Sequence, residues 1–326
     1  MRCLVLFSGG LDSMLAIKLM RLQDIEVMAL NISTGFGSKI DVSETMRRRA
    51  KIAGADFKVI DVREPYLKEI LFSPKYGYGK NFNPCIDCHG FMFKTAKGLL
   101  ETYGASFLVT GEVLGQRPMS QRANAIKSVT KLAGDEENLI LRPLCAKLMK
   151  PTKPELEGWV DREKLLDISG RSREKQLALA ESFGWEDFEK PGGGCLLTDI
   201  SFAKKMRDFI KFDTLQVADI DILKNGRQLR LPDNAKLIIG RNEAENARIE
   251  NIKNDKYLFI KAKDIPGPSA LLSIDATEND KKLALQAVLS FSKTEKGKKY
   301  DIICSENLLQ ESPHPSKESL YQYFIT

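Results

Sequence analysis

The opening of the chain constrains its fold more than any other segment. Residues 3–7 are apolar and read as a strand, and they run without a spacer into Ser8-Gly9-Gly10-Leu11-Asp12-Ser13. A helical pattern over 14–22, apolar almost all round, follows at once. A strand, a double glycine and a buried helix form the corner of a layered α/β sheet. Adjacent glycines turn the backbone tightly and face its N–H groups inward as an anion nest, and the helix adds its positive end. Ser8 and Ser13 supply hydroxyls, and Asp12 is placed to hold a magnesium ion against phosphates or to act near the attacked centre. There is no Gly-Lys-Ser/Thr and no Gly-x-Gly-x-x-Gly, which excludes a Walker A loop and the dinucleotide fingerprint. The plain alternative is a glycine turn capped by Asp or Ser.

The rhythm continues with strands expected at 27–32, 57–62 and 107–110 and helices at 44–52 and 90–103. This βαβα order predicts a parallel sheet whose post-strand loops share one ligand-binding edge. From 117 to 211 the pattern loosens, with a helix at 174–183 and the loop Pro191-Gly192-Gly193-Gly194-Cys195. A second rhythm starts near 213, with strands at 237–239, 257–262 and 300–304 and helices at 243–252 and 280–291. The reading is therefore α/β throughout: a first domain over 1–165, a connector over 166–212 carrying Cys195, and a smaller α/β domain over 213–326.

No apolar run approaches the ~20 residues that span a bilayer, and the expectation is a cytoplasmic protein without a membrane partner. The net charge of +6 permits a polyanionic partner without requiring one. The basic excess is uneven: eight Lys or Arg lie between Arg117 and Lys153, facing a single acidic patch at 135–137. That stretch is either a solvated surface or a phosphate-tracking one.

Six cysteines in such a chain do not suggest a disulfide framework. Cys3, Cys145 and Cys304 sit in apolar stretches and read as small buried hydrophobes. Asn83-Pro84-Cys85-Ile86-Asp87-Cys88-His89 instead places a Cys-x-x-Cys just before a helix. No second pair exists to complete a zinc knuckle, although a redox pair at a helix N-terminus remains open. Cys195 follows three glycines, so its backbone can approach a bound group closely. Three thiolates would leave one iron of a four-iron cluster open to carry exogenous sulfide. A nucleophile with a persulfide carrier, and incidental or structural roles, stand beside that reading.

Taken together, the Ser-Gly-Gly-Leu-Asp-Ser loop, the Cys-x-x-Cys and the distant third cysteine resemble the iron–sulfur subgroup of PP-loop tRNA thiolation enzymes. Thr110-Gly111-Glu112-Val113-Leu114-Gly115-Gln116 is similar to a Thr-Gly-Glu-x-Leu-Gly-Gln stretch of tRNA 4-thiouridine synthetases. The resemblance implies an adenine nucleotide alpha hydrolase-like fold and cleavage of ATP to AMP and pyrophosphate through an adenylated uridine. It also implies ATP contacts from Ser8, Gly9, Gly10, Asp12, Ser13, Asn31, Gly111 and Gln116, with Mg2+, and a [4Fe-4S] cluster on Cys85, Cys88 and Cys195. Asp12 and the three cysteines would then be the catalytic residues.

Residues 213–306 resemble the NFACT-R domain through Gly240-Arg241-Asn242 with Asn246, followed by Ala262-Lys263-Asp264-Ile265-Pro266-Gly267. In that reading Arg241, Asn242, Asn246, Lys261 and Lys263 form a phosphate and sugar surface, joined by Arg117 and Arg122 of the basic stretch. The plain alternative is a helix cap at Asn242 beside ordinary strand lysines. We expect this unit to take the RNA-binding duty that 4-thiouridine synthetases commonly give to a segment ahead of the PP-loop. The leading expectation is a tRNA sulfurtransferase. Sulfur chemistry on a small molecule and a nucleotide-sensing RNA-binding module are the rivals. The sequence is compatible with a homodimer and does not name the sulfide donor or the uridine.

Overall fold

The computed structural model describes residues 1–189, 194–252 and 254–325, which divide into two compact units, Met1–Cys195 and Leu196–Thr326. In chain order the first unit contains β1 (Arg2–Leu6), α1 (Leu11–Arg21), β2 (Glu26–Ser33), α2 (Ser43–Ala53) and β3 (Asp56–Asp61). A single turn α3 (Arg63–Tyr66), α4 (Cys85–Gly98), β4 (Phe107–Thr110), α5 (Ala123–Leu132) and β5 (Ile140–Leu141) come next. The single turn α6 (Lys153–Leu156) and α7 (Glu174–Ser182) complete it.

The five strands are parallel, in the order β3-β2-β1-β4-β5. The alternation of β1 explains its position at the centre: Cys3 and Val5 enter the core on one face, Leu4 on the other. A strand buried on both faces belongs inside a sheet covered by helices. Residues of α1, α2 and α7 close the first face, and those of α4 and α5 the second. Because the chain winds outward from β1 in both directions, a crevice opens at the carboxyl ends of β1 and β4. The double-glycine loop follows β1, and the Thr110–Gln116 stretch follows β4.

Two expectations require correction. The helix placed at 90–103 runs from Cys85 to Gly98, because Pro84 caps its start and Gly90 lies inside it, where α4 presses against Leu132 of α5. Cys85 and Cys88 are therefore in the first helical turn and not ahead of it. The connector placed at 166–212 is divided between the units. Ile168 and Ala180 are buried in the first core, and Asp187 pairs with Arg48 and Arg49. Residues 200–212 form a helix counted with the second unit. The Pro191, Gly192 and Gly193 positions expected ahead of Cys195 lie outside the described residues.

The second unit is built from α8 (Ile200–Phe212), α9 (Asp219–Lys224), β6 (Arg227–Arg230), β7 (Lys236–Ile239), α10 (Glu243–Asn251), β8 (Tyr257–Ala262), β9 (Ser269–Ser273), α11 (Glu278–Ser290), β10 (Tyr300–Cys304) and β11 (Asn307–Glu311). Its sheet is antiparallel, in the order β11-β10-β8-β9-β7-β6. One face packs on α11 through Ala284, Ala287 and Val288. The other packs on α9 and α10 through Ile222 and Ile249. Among the described residues, no helix is long and apolar enough to cross a membrane.

Candidate nucleotide and sulfur site

The loop after β1 is fixed by its own hydrogen bonds. Gly9 takes φ +78°, which favours glycine, and extended Gly10 caps α1. The Ser13 hydroxyl donates to the Gly10 carbonyl at 2.8 Å, so it stiffens the turn instead of pointing at a ligand. The Ser8 hydroxyl oxygen accepts weakly from the Gly10 N–H at 3.4 Å. From β2, the Asn31 amide donates to the Phe7 carbonyl at 3.0 Å, and Arg49 donates to the Gly9 carbonyl at 3.1 Å. Ser8, Gly9, Gly10, Ser13 and Asn31 thus gather at the carboxyl end of β1.

Gly111, after β4, packs directly on this loop. A Cβ there would lie 2.6 Å from the Asp12 backbone carbonyl, closer than real side chains come. Gln116 Nε2 donates to Asp12 Oδ2 at 2.7 Å, and Gln176 Nε2 donates to Gln116 Oε1 at 3.2 Å. This relay aims the Asp12 carboxylate, whose Oδ1 is buried and has no hydrogen-bond partner among the described residues. A carboxylate oxygen in that state beside an anion nest suits a magnesium ion with phosphates.

Sequence reasoning passed over the groups beneath this crevice. Glu112 is 4% exposed, with Arg142 Nε 2.9 Å from Oε2 and His89 Nδ1 2.9 Å from Oε1. Burial works against its charge, but Arg142 and the hydrogen bond with His89 outweigh it and hold the carboxyl below the usual range. The pairing ties α4 to the end of β4. The signal was present in the adjacency of His89 to Cys88 and of Glu112 to Gly111.

At the start of α4, Cys85 Sγ accepts from Asn83 Nδ2 at 3.1 Å. Buried Asp87 accepts from the Lys75 and Tyr76 N–H groups at 2.8 and 3.0 Å, pinning the loop ahead of the helix. Tyr66 is fully buried, packed against the rings of Phe36 and Phe91 at 6.2 and 5.9 Å. Among the described residues its hydroxyl has no hydrogen-bond partner at ordinary distance, although it faces Cys88. After burial, the charge of Cys88 and a long hydrogen-bond contact with it, then the charges of Cys195 and Cys85, all raise its pKa, so the three thiols share one neighbourhood around this hydroxyl. Burial first, then the charge of Cys195, push the Cys88 thiol up to about 12.

None of the three cysteines is in a disulfide. Among the described residues, no three His, Cys, Asp or Glu side chains close on one point at metal-ligand spacing. The thiols therefore lie near one another without forming a closed cage. Their donor chemistry, with an unsatisfied hydroxyl among them, suits a soft sulfur-bound group.

The basic residues of this stretch differ in exposure and pairing. Arg142 is buried on Glu112, while Lys147 pairs with Glu163 and Lys153 with Glu137. Lys127, Lys131 and Lys150 line a cavity of about 630 Å³ floored by Ile126, Leu148 and Met149. Arg117 and Arg122 are exposed near the end of the Thr110–Gln116 stretch.

In the second unit, Asn242 caps α10 by accepting from the Glu245 N–H at 3.0 Å. Arg241 donates to the Glu245 carboxylate at 2.9 Å, and Lys261 pairs with Glu250 at 2.7 Å. Asn246 Oδ1 accepts from the Ser269 N–H at 3.2 Å. These residues do meet at one end of the sheet, but mainly as a cap and two neutralised cations. Lys263 is exposed.

Two family matches divide the chain. Residues 1–158 match the family described as Thiamine biosynthesis protein (ThiI), and residues 226–321 match the NFACT protein RNA binding domain. Among curated proteins, the tRNA-specific 2-thiouridylase MnmA of Petrotoga mobilis is 29% identical over 131 residues, covering 35% of each chain. That of Syntrophomonas wolfei is 33% identical over 106 residues, covering 30% of each. The chain thus spans about a third of the length of these relatives. A solved 4-thiouridine synthetase–RNA complex with bound ATP is 18% identical, covers 68% of this chain and 52% of its own, and has a TM-score of 0.40.

Proposed function

The chain belongs with the PP-loop tRNA thiolation proteins and carries a C-terminal NFACT-R domain, and from that premise we propose that it transfers sulfur to a uridine of tRNA using ATP. The observation that carries this reading is the shared neighbourhood of Cys85, Cys88 and Cys195 in the unit that also bears the Ser8–Ser13 nucleotide loop. A plain nucleotide sensor has no use for three gathered thiols.

In this reading the loop amides hold the ATP phosphates, and Asp12 Oδ1 binds magnesium while Gln116 fixes its other oxygen. A uridine carbonyl oxygen attacks the α-phosphate and pyrophosphate leaves. Sulfide then adds at the activated carbon and AMP departs with the oxygen, leaving a C=S group. Cys85, Cys88 and Cys195 would hold a [4Fe-4S] cluster, which supplies an iron with an open coordination position for sulfide. To hold such a group Cys88 would have to be a thiolate, against the burial that pushes its thiol up. With the group in place, the Tyr66 hydroxyl would donate to sulfur in this pocket, and the His89–Glu112–Arg142 pairing keeps α4 in register with β4.

Anaerobic purification with iron and sulfide counting tests this. About four irons per chain are expected, lost in a Cys85/Cys88/Cys195 triple Ser variant that keeps its fold. An iron-free, well-folded anaerobic wild type would move the chemistry to a persulfide.

A further inference from the structure

We propose that the RNA-contacting surface of the second unit is a basic corner built from the β8–β9 and α11–β10 loops, and that its ligand is the phosphate backbone of RNA. This rests on the reading that the chain handles RNA, and it relocates the contact away from Arg241 and Lys261.

Antiparallel pairing brings the end of β8, the start of β9 and the start of β10 to one end of the sheet. The Lys263 N–H bonds the Asp301 carbonyl at 3.0 Å, and the Lys293 N–H bonds the Pro266 carbonyl at 2.8 Å. The two loops are therefore stitched together, and Gly267 packs so closely on Ser292 that a side chain would not fit between them. Lys263, Lys293, Lys296 and Lys299 are exposed there, and their side chains have no hydrogen-bond or ion-pair partner among the described residues. Arg227 and Lys317 add two cations stacked on the Phe291 ring, at 5.1 and 4.6 Å from its centroid. Three acids lie nearby: Glu295 is paired with Lys298 at 2.7 Å, Asp301 accepts from Gln310 Nε2 at 2.8 Å, and Asp264 shares the β8–β9 loop, so the cations outnumber them.

The motif residues differ in kind. Glu245 neutralises Arg241, Glu250 neutralises Lys261, and Glu243 and Glu245 occupy the first turn of α10. An anion would be repelled from that helix start and drawn to the loops beside it. Motif and corner form one structure, in which the motif builds the turn and the lysines meet the polyanion.

The test measures tRNA affinity of the full chain against salt, comparing wild type with Lys263→Gln/Lys296→Gln/Lys299→Gln and with Arg241→Gln/Lys261→Gln. The triple variant should bind at least about tenfold more weakly at 0.1 M salt, with its log–log salt slope reduced by about 2 to 3. The double variant should keep the wild-type slope. A triple variant with an unchanged slope beside a salt-dependent wild type would overturn the corner while leaving the thiolation reading intact. A wild type with no salt-dependent tRNA affinity would overturn both. Vesicles containing phosphatidylserine form a further arm: if the triple variant loses vesicle binding and keeps RNA binding, the surface is a membrane one and the proposal fails.

Discussion

Tyr66 concentrates the logic of the proposed sulfur site in one side chain. Its fully buried hydroxyl has no partner at ordinary distance among the described residues, a state that costs about 1–3 kcal/mol. An apolar residue would fill the same space between Phe36 and Phe91 without that penalty. Tyr66→Phe should therefore melt at the wild-type temperature or a few degrees above it, while sulfur transfer falls at least about tenfold. A thermal melt beside a thiouridine assay checks both halves. A variant that melts several degrees lower with full activity would show the hydroxyl to be structural. Asp12 obeys the same reasoning, since its carboxylate is held by Gln116 on one oxygen and left open on the other.

Among elements, a largely buried ion cluster of the second unit joins α8 to β6 and β7. Asp208 sits 2.7 Å from Arg230 and 2.6 Å from Lys236, and Lys236 is 2% exposed. Burial opposes the aspartate charge, but Arg230 and Lys236 prevail and lower its pKa. Burial also brings Lys236 down to about 8 against the pull of Asp208. Asp208→Asn, which leaves the buried Lys236 without the charge that keeps it protonated, should cost about 3 kcal/mol at neutral pH. A carboxyl lowered on folding gives its stabilisation in full above its unfolded pKa of ~4 and loses it as pH falls further. The gap between wild type and variant in urea melts should therefore close with acid. A gap unchanged down to pH 2 would contradict the pairing.

The same segment shows what the sequence leaves hidden. β1 and β4 are legible because continuous apolar runs demand burial on both faces, while β2 and the half-buried edge strand β3 show through shorter runs of apolar and β-branched residues such as Val27–Leu30 and Val59–Ile60. β5 has two residues, too few for a period, and the exposed β11 carries no alternation. The amphipathic α8 lies in a stretch where proline and glycine loops dominate, and its attachment to the second unit depends on Asp208 meeting a lysine that is distant in sequence. At the site, the double glycine and Cys-x-x-Cys were visible as local spacing. Glu112, His89 and Tyr66 come together only through the sheet order and the packing of α4, which no local pattern encodes.

As a whole, the chain combines a nucleotide crevice and gathered thiols in one unit with a basic corner in the other. In the proposed account, the first activates and sulfurates a uridine and the second grips the polymer carrying it. The rivals separate at this scale. Small-molecule sulfur chemistry would run without tRNA, and a nucleotide-sensing module would bind RNA without making thiouridine. The decisive measurement is an anaerobic reaction of the protein with ATP, magnesium, sulfide and unmodified tRNA, reading thiouridine by nucleoside mass spectrometry and AMP in the same tube. The account predicts thiouridine and AMP in equal amounts, both dependent on tRNA, with Cys195→Ser abolishing thiouridine and sparing tRNA affinity. Thiouridine at the wild-type level in Cys195→Ser, or AMP without thiouridine from a cluster-loaded wild type, would contradict it.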